Sequence, residues 1–149
     1  MIYSYDGLNW YPILNPILTE VQSFAWNGIM WIAVGIGTSF SMIYSYDGLQ
    51  WTGIPNSYTM FPGGAFGITW NGLRWIVSGN GSGSDTLAYS VDGMNWIGLG
   101  KTIFTNGYGI GPRIFDAKLD QGDDSLRFVT ESYYQPGYSR ITLGVSNTI

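Results

Sequence analysis

A nine-residue segment occurs three times in this chain of 149 residues, at residues 2–10, 43–51 and 88–96. The second copy begins 41 residues after the first, and the third begins 45 residues after the second. Each copy reads Tyr-Ser-x-Asp-Gly-x-x-Trp from its second residue. Because self-similarity at a nearly fixed period is the signature of repeat architectures, we expect the chain to fold as a series of similar units.

A second segment lies between these copies, at residues 24–35 and again at residues 68–79. Both copies contain Trp-Asn-Gly-x-x-Trp, and the offset between them is 44 residues. All 7 tryptophans of the chain fall inside the two kinds of segment. The residues predicted to define the repeat are Ser4, Asp6, Trp10, Trp26, Trp31, Ser45, Asp47, Trp51, Trp70, Trp75, Ser90, Asp92 and Trp96.

Each segment has the pattern of a β-hairpin, because apolar, β-branched or aromatic residues flank an Asn-Gly or Asp-Gly tight turn. In one unit the strands are predicted at residues 66–70, 74–78, 87–91 and 95–99. Four strands per repeat of this length match the antiparallel blade of a β-propeller. The sequence therefore predicts an all-β fold, and a helical solenoid is excluded by the absence of 3.6-residue patterning.

The predicted single domain holds a half blade at 1–14, full blades at 24–55 and 65–100, and a diverged, incomplete blade at 113–147. In the last blade, strands are predicted at residues 113–119, 126–134 and 141–146. Closed propellers typically need about four to eight blades, and this chain supplies about three. Either two copies of the chain complete one ring of about six blades, or the chain is part of a longer polypeptide.

Composition excludes several classes of function. The net charge is −4 and the six basic residues are scattered, which argues against nucleic acid as a partner. The absence of Cys and His removes disulfides, thiolate chemistry, zinc sites of the usual kind and histidine bases. The first residues lack the pattern of a signal peptide, and no apolar run is long enough for a membrane span. The compartment stays open, and no cofactor is predicted.

The motif Ser-x-Asp-Gly-x-x-Trp resembles the Asp-box, or bacterial-neuraminidase (BNR) repeat, of sialidase-like propellers. The family pattern is Ser-x-Asp-x-Gly-x-Thr-Trp, so the glycine here follows the aspartate directly and the tryptophan comes one residue sooner. The combination of both segments is also similar to repeat proteins of large DNA viruses and bacteria. The resemblance covers about residues 2–100. It implies a propeller with the motif on its outer rim, and it implies little about function.

The repeated aspartates have two readings, turn residues or catalytic carboxylates. One aspartate per hairpin favours the turn, where a carboxylate accepts backbone N–H bonds and the preceding serine bonds locally. Glycoside hydrolysis needs two carboxylates that face each other. The resemblance to sialidases would also imply an arginine cluster, and the chain has only four arginines. We therefore predict no enzyme activity.

Acidic residues near residue 120 do not match a known calcium loop. Asp120, Asp123 and Asp124 could offer oxygen ligands, but their spacing differs from that of the EF-hand. A solvated acidic turn is the alternative interpretation, and no metal site is predicted.

Aromatic residues outside the repeat are the candidate ligand-binding residues. Tyrosine offers stiff contact area and a hydroxyl group, which suits the recognition of sugars or protein surfaces. Ordinary loop packing is the alternative for each of them. The candidates are Tyr58, Phe61, Tyr108, Tyr133, Tyr134 and Tyr138.

Three functions follow as expectations. The first is a non-catalytic propeller module for binding or assembly, homo-oligomeric and part of a virion or surface structure. The second is a lectin-like glycan-binding protein that uses pockets between blades, where the tryptophans at the ends of the nine-residue segments would pack. The third is a sialidase-like glycoside hydrolase.

Overall fold

The computed structural model describes residues 1–14, 16–112, 126–129 and 142–145. These residues form antiparallel β-strands and a single four-residue helix, so the fold is all-β as predicted. The elements are β1 (Ile2–Tyr3), β2 (Tyr11–Pro12), β3 (Glu20–Trp26), β4 (Trp31–Ile36), β5 (Met42–Ser45), β6 (Thr52–Gly53), α1 (Ser57–Met60), β7 (Ala65–Trp70), β8 (Trp75–Gly79), β9 (Leu87–Ser90), β10 (Ile97–Gly98), β11 (Gly111–Pro112), β12 (Leu126–Val129) and β13 (Thr142–Val145).

The strands form four sheets in chain order. Strands β3 to β6 make a four-stranded first sheet, and β7 to β10 make a four-stranded second sheet. Before them lies the N-terminal hairpin β1–β2, and after them the three-stranded C-terminal sheet β11–β12–β13. The four strands predicted for the unit at 65–100 are present. The strand predicted at 113–119 lies outside the described residues, whereas β12 and β13 fall within the other two predicted stretches.

Strand pairing follows the same register in every copy. Tyr44 is paired with Thr52 in the first sheet, and the equivalent Tyr89 is paired with Ile97 in the second. The N-terminal hairpin repeats this register with Tyr3 opposite Tyr11. The first hairpin of each four-stranded sheet also carries a register shift at equivalent positions of β3 and β7. Even the irregularities of the sheets therefore belong to the repeat.

Alternate residues of the central strands point to opposite faces. Ile32 and Val34 of β4 belong to one core cluster together with Trp75 of β8, so this face of the first sheet packs on the second sheet. On the opposite face, Ala33 belongs to another cluster, against which Met1 of the N-terminal hairpin segment packs. The first and second sheets are therefore stacked face to face, and the N-terminal segment covers part of the other face of the first sheet.

The first strands of successive sheets lie next to one another. Strand β3 contacts β7, and β7 in turn contacts β11. The segment that leads into the C-terminal sheet lies close to β7, because a Cβ added to Gly67 of β7 would lie 2.5 Å from the backbone nitrogen of Ile110. Among the described residues, no helix has the length and apolar character needed to cross a bilayer.

Candidate functional site

The turn of each nine-residue segment is built around its aspartate. At the third copy, Asp92 Oδ1 accepts the backbone N–H groups of Met94 and Asn95, both at 2.8 Å. The Ser90 hydroxyl donates to Asp92 Oδ1 at 3.0 Å and accepts the N–H of Gly93 at 2.8 Å. The other two copies make the same bonds within 0.1 Å. Serine and aspartate therefore have the local bonding roles predicted from their spacing.

These hydrogen bonds hold the aspartates as anions. The backbone N–H groups of Asn9 and Asn95 lower the pKa of Asp6 and Asp92 most, and the side-chain amides of the same two residues lower it further. Asp47 has Gln50 at the equivalent position, and its pKa is lowered by the backbone N–H groups of Gln50 and Leu49 and by the Ser45 hydroxyl. A general acid needs a raised pKa, so these carboxylates have the opposite electrostatic setting.

The Trp-Asn-Gly turns use an amide in the same way. Asn71 Oδ1 accepts the N–H groups of Leu73 and Arg74 at 2.9 and 2.7 Å, as Asn27 does in the first sheet. Trp70 is paired with Trp75, so four residues connect β7 to β8. Only the glycine of each motif has positive φ. The turns are thus longer than the two-residue tight turn predicted from Asn-Gly. The Asn side chain accepts two N–H groups inside each loop, and the backbone N–H of the same Asn donates across it to the carbonyl oxygen of Arg74 or Met30.

The repeat tryptophans differ in burial. We expected Trp10, Trp51 and Trp96 to be the large buried contacts between neighbouring sheets, but Trp75 is the one that is fully buried. Trp51 and Trp96 are partly buried, and Trp10 is 57% exposed. Trp75 lies on a central strand between two sheets, whereas the tryptophans that follow the Asp-Gly turns lie at the outer ends of short hairpins.

The candidate ligand-binding aromatics do not converge among the described residues. Phe61 is fully buried in the core that joins the two four-stranded sheets, which favours loop packing for this residue. Tyr58 lies on α1 and is 39% exposed. Tyr108 is exposed and stacks on Phe66, with 5.7 Å between ring centroids. Tyr133, Tyr134 and Tyr138 lie outside the described residues.

Two grooves lie between consecutive sheets. The first groove has a volume of about 440 Å³ and lies between the N-terminal hairpin and the turn of the first sheet; Tyr3, Gln50 and Trp51 line it. The second groove has about 490 Å³ and lies between the first sheet and the turn of the second. Tyr44, Asn95 and Trp96 line the second groove at equivalent positions.

The sequence contained a signal for these grooves that our interpretation did not use. Tyr3 and Tyr44 align in the repeat, as do Gln50 and Asn95. We took the adjoining tryptophans as core residues and did not single out the amide before them. The alignment alone shows that an amide precedes the tryptophan in each copy.

In the part of the chain that the structure describes, no group of three or more His, Cys, Asp or Glu side chains could hold a metal ion. The acidic residues Asp120, Asp123 and Asp124 lie outside that part. Comparisons of the chain with protein-family models, with curated proteins and with solved structures gave no match.

Proposed function

We propose that this chain is a non-catalytic β-propeller module that works by assembly and binding, in which two copies join into one ring of about six blades. The two four-stranded sheets are full blades, and the N-terminal hairpin of one copy completes the C-terminal sheet of the other. The first strands β3, β7 and β11 surround the ring axis. The expected context is a structural component of a virion or of a cell surface.

The order of contacts supports a radial arrangement. The first sheet packs on the second sheet and on the N-terminal segment, and the first strands β3, β7 and β11 contact one another in sequence. In a propeller the innermost strands of adjacent blades are neighbours in this way, and each blade buries both faces.

One observation carries the assembly proposal: an aromatic face is uncovered in the first sheet and covered in the second. Ile68 of β7 is 4% exposed, whereas its equivalent in β3, Phe24, is 64% exposed. In the second sheet this face packs on the first sheet. In the first sheet the N-terminal hairpin covers the outer part of the face only. We name the uncovered residues Phe24, Trp26 and Trp31 the aromatic face.

The residues of the aromatic face contact one another. Trp26 and Trp31 lie 5.0 Å apart between ring centroids, and Phe24 meets Trp31 edge-on at 5.8 Å. Contiguous exposed aromatic surface of this kind marks an interaction site. The surface that covers the equivalent face in the second sheet is a sheet of the same repeat, so the matching occupant is a sheet of a second copy.

The non-catalytic part of the proposal is supported by the state of the repeated aspartates. Each accepts turn hydrogen bonds from the serine hydroxyl and two backbone N–H groups, and its pKa is lowered rather than raised. Arg74 lies over the ring of Tyr89, 5.0 Å from its centroid, and so stabilises the sheet surface instead of forming part of an anion-binding cluster.

The test is the solution mass of the full chain and of the variant Phe24→Glu, by light scattering over a range of protein concentrations. We expect the wild type to have the mass of two chains and the variant that of one, because a carboxylate would be buried without a partner at the interface. A wild-type chain that stays monomeric at all concentrations would overturn the assembly proposal.

The matched control is Ile29→Glu. Ile29 is 70% exposed at the tip of the β3–β4 turn, and its equivalent Leu73 is 73% exposed in the second sheet. This position is therefore uncovered even where a neighbouring sheet is present. The control should keep the wild-type mass, and loss of dimers in both variants would indicate a general effect of charge instead of a defined interface.

A second function, glycan binding, is favoured by a separate observation. The grooves between sheets are lined by tryptophan, tyrosine and side-chain amides, and they recur at equivalent places. Binding pockets are typically apolar clefts with a few oriented polar groups. Repeated, weak sites would suit a module that attaches to a surface carrying many copies of one sugar.

A further inference from the structure

We propose that the first and second grooves are two copies of one binding site for an uncharged saccharide. The inference deepens the binding role proposed above and rests on it. It names the position of the site, the residues that hold the ligand and the charge class of the sugar.

The two grooves are equivalent position by position. On one wall, Met1 and Tyr3 of the first groove correspond to Met42 and Tyr44 of the second, at an offset of 41 residues. On the other wall, residues 49–51 correspond to residues 94–96 at an offset of 45. Because both walls belong to the repeat, a ligand chemistry that fits one groove also applies to the other.

The indole ring is held in position by the turn that precedes it. Trp96 donates its Nε1–H to the carbonyl oxygen of Gly93 at 2.9 Å, and Trp51 donates to Gly48 at 3.0 Å. The ring is therefore fixed and its polar group is already bonded. What Trp51 and Trp96 offer to a ligand is a flat apolar face, the surface on which the C–H groups of a sugar ring can stack.

The tyrosine on the opposite wall is also oriented by the repeat. Tyr44 meets Tyr46 edge-on with centroids 5.7 Å apart, and Tyr3 meets Tyr5 in the same way at 5.5 Å. An aromatic residue held at each wall reduces the conformational entropy that a ligand must overcome on binding. The site is thus built before the ligand arrives.

The polar groups of the grooves are neutral. Gln50 and Asn95 are exposed and occupy the position beside the tryptophan, and Asn95 uses one N–H of its amide to bond Asp92. Amide oxygens and N–H groups pair with sugar hydroxyls in both directions. No charged side chain lines either groove in the described part of the chain.

This lack of charge selects the ligand class. A sialic acid carries a carboxylate, and burying it beside neutral and apolar side chains without a cationic side chain is unfavourable. Arg74 lies on Tyr89 and lines neither groove. The volumes of about 440 and 490 Å³ fall within the range of small-molecule sites. The grooves therefore favour a neutral sugar over an acidic one.

The experiment uses the full chain and follows the indole N–H signals of its tryptophans by NMR during titration with galactose, glucose, mannose, N-acetylglucosamine, lactose and sialyllactose. We expect at least one neutral sugar to shift the signals of Trp51 and Trp96 while that of Trp75 stays in place. The Kd should be on the order of 1 mM for each groove. Sialyllactose should bind no more tightly than lactose.

Substitutions in each groove test where the sugar binds. Trp96→Ala should leave the response of the Trp51 indole and reduce the saturation transfer from the protein to the sugar's own protons, which reports both grooves, whereas Gln50→Ala should weaken only the first groove, by about tenfold. The matched control is Trp70→Ala: Trp70 is partly buried and packs against the same core cluster as Trp96, yet it lines neither groove. It should leave sugar binding unchanged.

Three outcomes would overturn the inference: no response to any neutral sugar, tighter binding of sialyllactose than of lactose, or undiminished saturation transfer to the sugar protons in Trp51→Ala/Trp96→Ala. Because these signals are read independently of the mass, the assembly proposal and the saccharide site can fail separately.

Discussion

The first and second sheets have the same strand order, register and turns, yet they differ in how well they are covered. Trp75 of the second sheet is fully buried, whereas the equivalent Trp31 is only partly buried. Phe24 of the first sheet and its equivalent Ile68 differ in the same way and lie on the same face as these tryptophans. Burial on this face therefore depends on which sheet lies opposite, because strand order, register and turns are the same in both sheets.

The largest expected effect is a difference between the two tryptophans. Trp75→Ala should lower the free energy of unfolding by about 3–5 kcal/mol, because it removes a large, fully buried side chain. Trp31→Ala should cost the isolated chain only about 1–2 kcal/mol. Urea unfolding of both variants measures the difference.

Trp75→Phe serves as the second variant in case Trp75→Ala does not fold. If Trp75→Ala and Trp31→Ala lower the free energy of unfolding of a monomeric chain equally, the two tryptophans do not differ in burial as described. If two copies assemble, the cost of Trp31→Ala should increase with protein concentration.

The next effect concerns the approach of the C-terminal sheet. Gly67 in β7 and Ser23 in β3 are equivalent, and a Cβ at Gly67 would come within 2.9 Å of Gly109 as well as close to Ile110. Gly67→Ser should therefore destabilise the chain by about 1–3 kcal/mol. The reverse change, Ser23→Gly, should cost less than about 1 kcal/mol. Thermal unfolding of the two variants tests this, and equal effects would argue against close packing at β11.

A smaller effect on stability in acid should distinguish the Asp-Gly turn of the first sheet from that of the second sheet. Because hydrogen bonds lower the folded-state pKa of Asp47 and Asp92, each turn stabilises the fold above the unfolded pKa of 3.8, and this stability is lost as the pH falls through the folded pKa. Asp92 has the extra bond from Asn95. Asp92→Asn should therefore reduce the loss of stability in acid more than Asp47→Asn does.

The measurement is the unfolding free energy of both variants and the wild type, from near neutral pH down to about pH 2. In each variant the amide oxygen can still accept the two backbone N–H groups, as Asn27 and Asn71 do. If the unfolding free energy of the wild type does not decrease as the pH is lowered below the unfolded pKa, the turns contribute nothing to folding.

The smallest expected effect comes from exchanging the amide residue between the Asp-Gly turns of the first and second sheets. Gln50→Asn should restore the side-chain bond to Asp47 that Asn9 and Asn95 make to their aspartates at 2.7 Å. The pKa of Asp47 should then move further below its ordinary value, which an NMR titration of the carboxyl carbon can follow. Asn95→Gln is the reciprocal control and should raise the pKa of Asp92. No change in either direction would mean that the amide position is irrelevant to the carboxylate.

The sheets could be predicted from the sequence, whereas the contacts and grooves between the sheets could not. Asn-Gly and Asp-Gly mark the ends of paired strands directly, so the hairpins and their order could be predicted. The burial of Phe61 and the exposure of Trp10 could not, because burial depends on which sheet lies opposite. The grooves were missed for the same reason, since each combines a wall from one repeat with a turn from the next.

In the described part of the chain, sheets contact the sheets next to them in sequence, which has a consequence for how such a chain can change over time. Duplication of a segment of about 44 residues would insert one complete layer, because the new layer brings matching surfaces for both sides. Deletion of the same segment would rejoin two compatible surfaces. Chains of this type can therefore vary in length by whole layers.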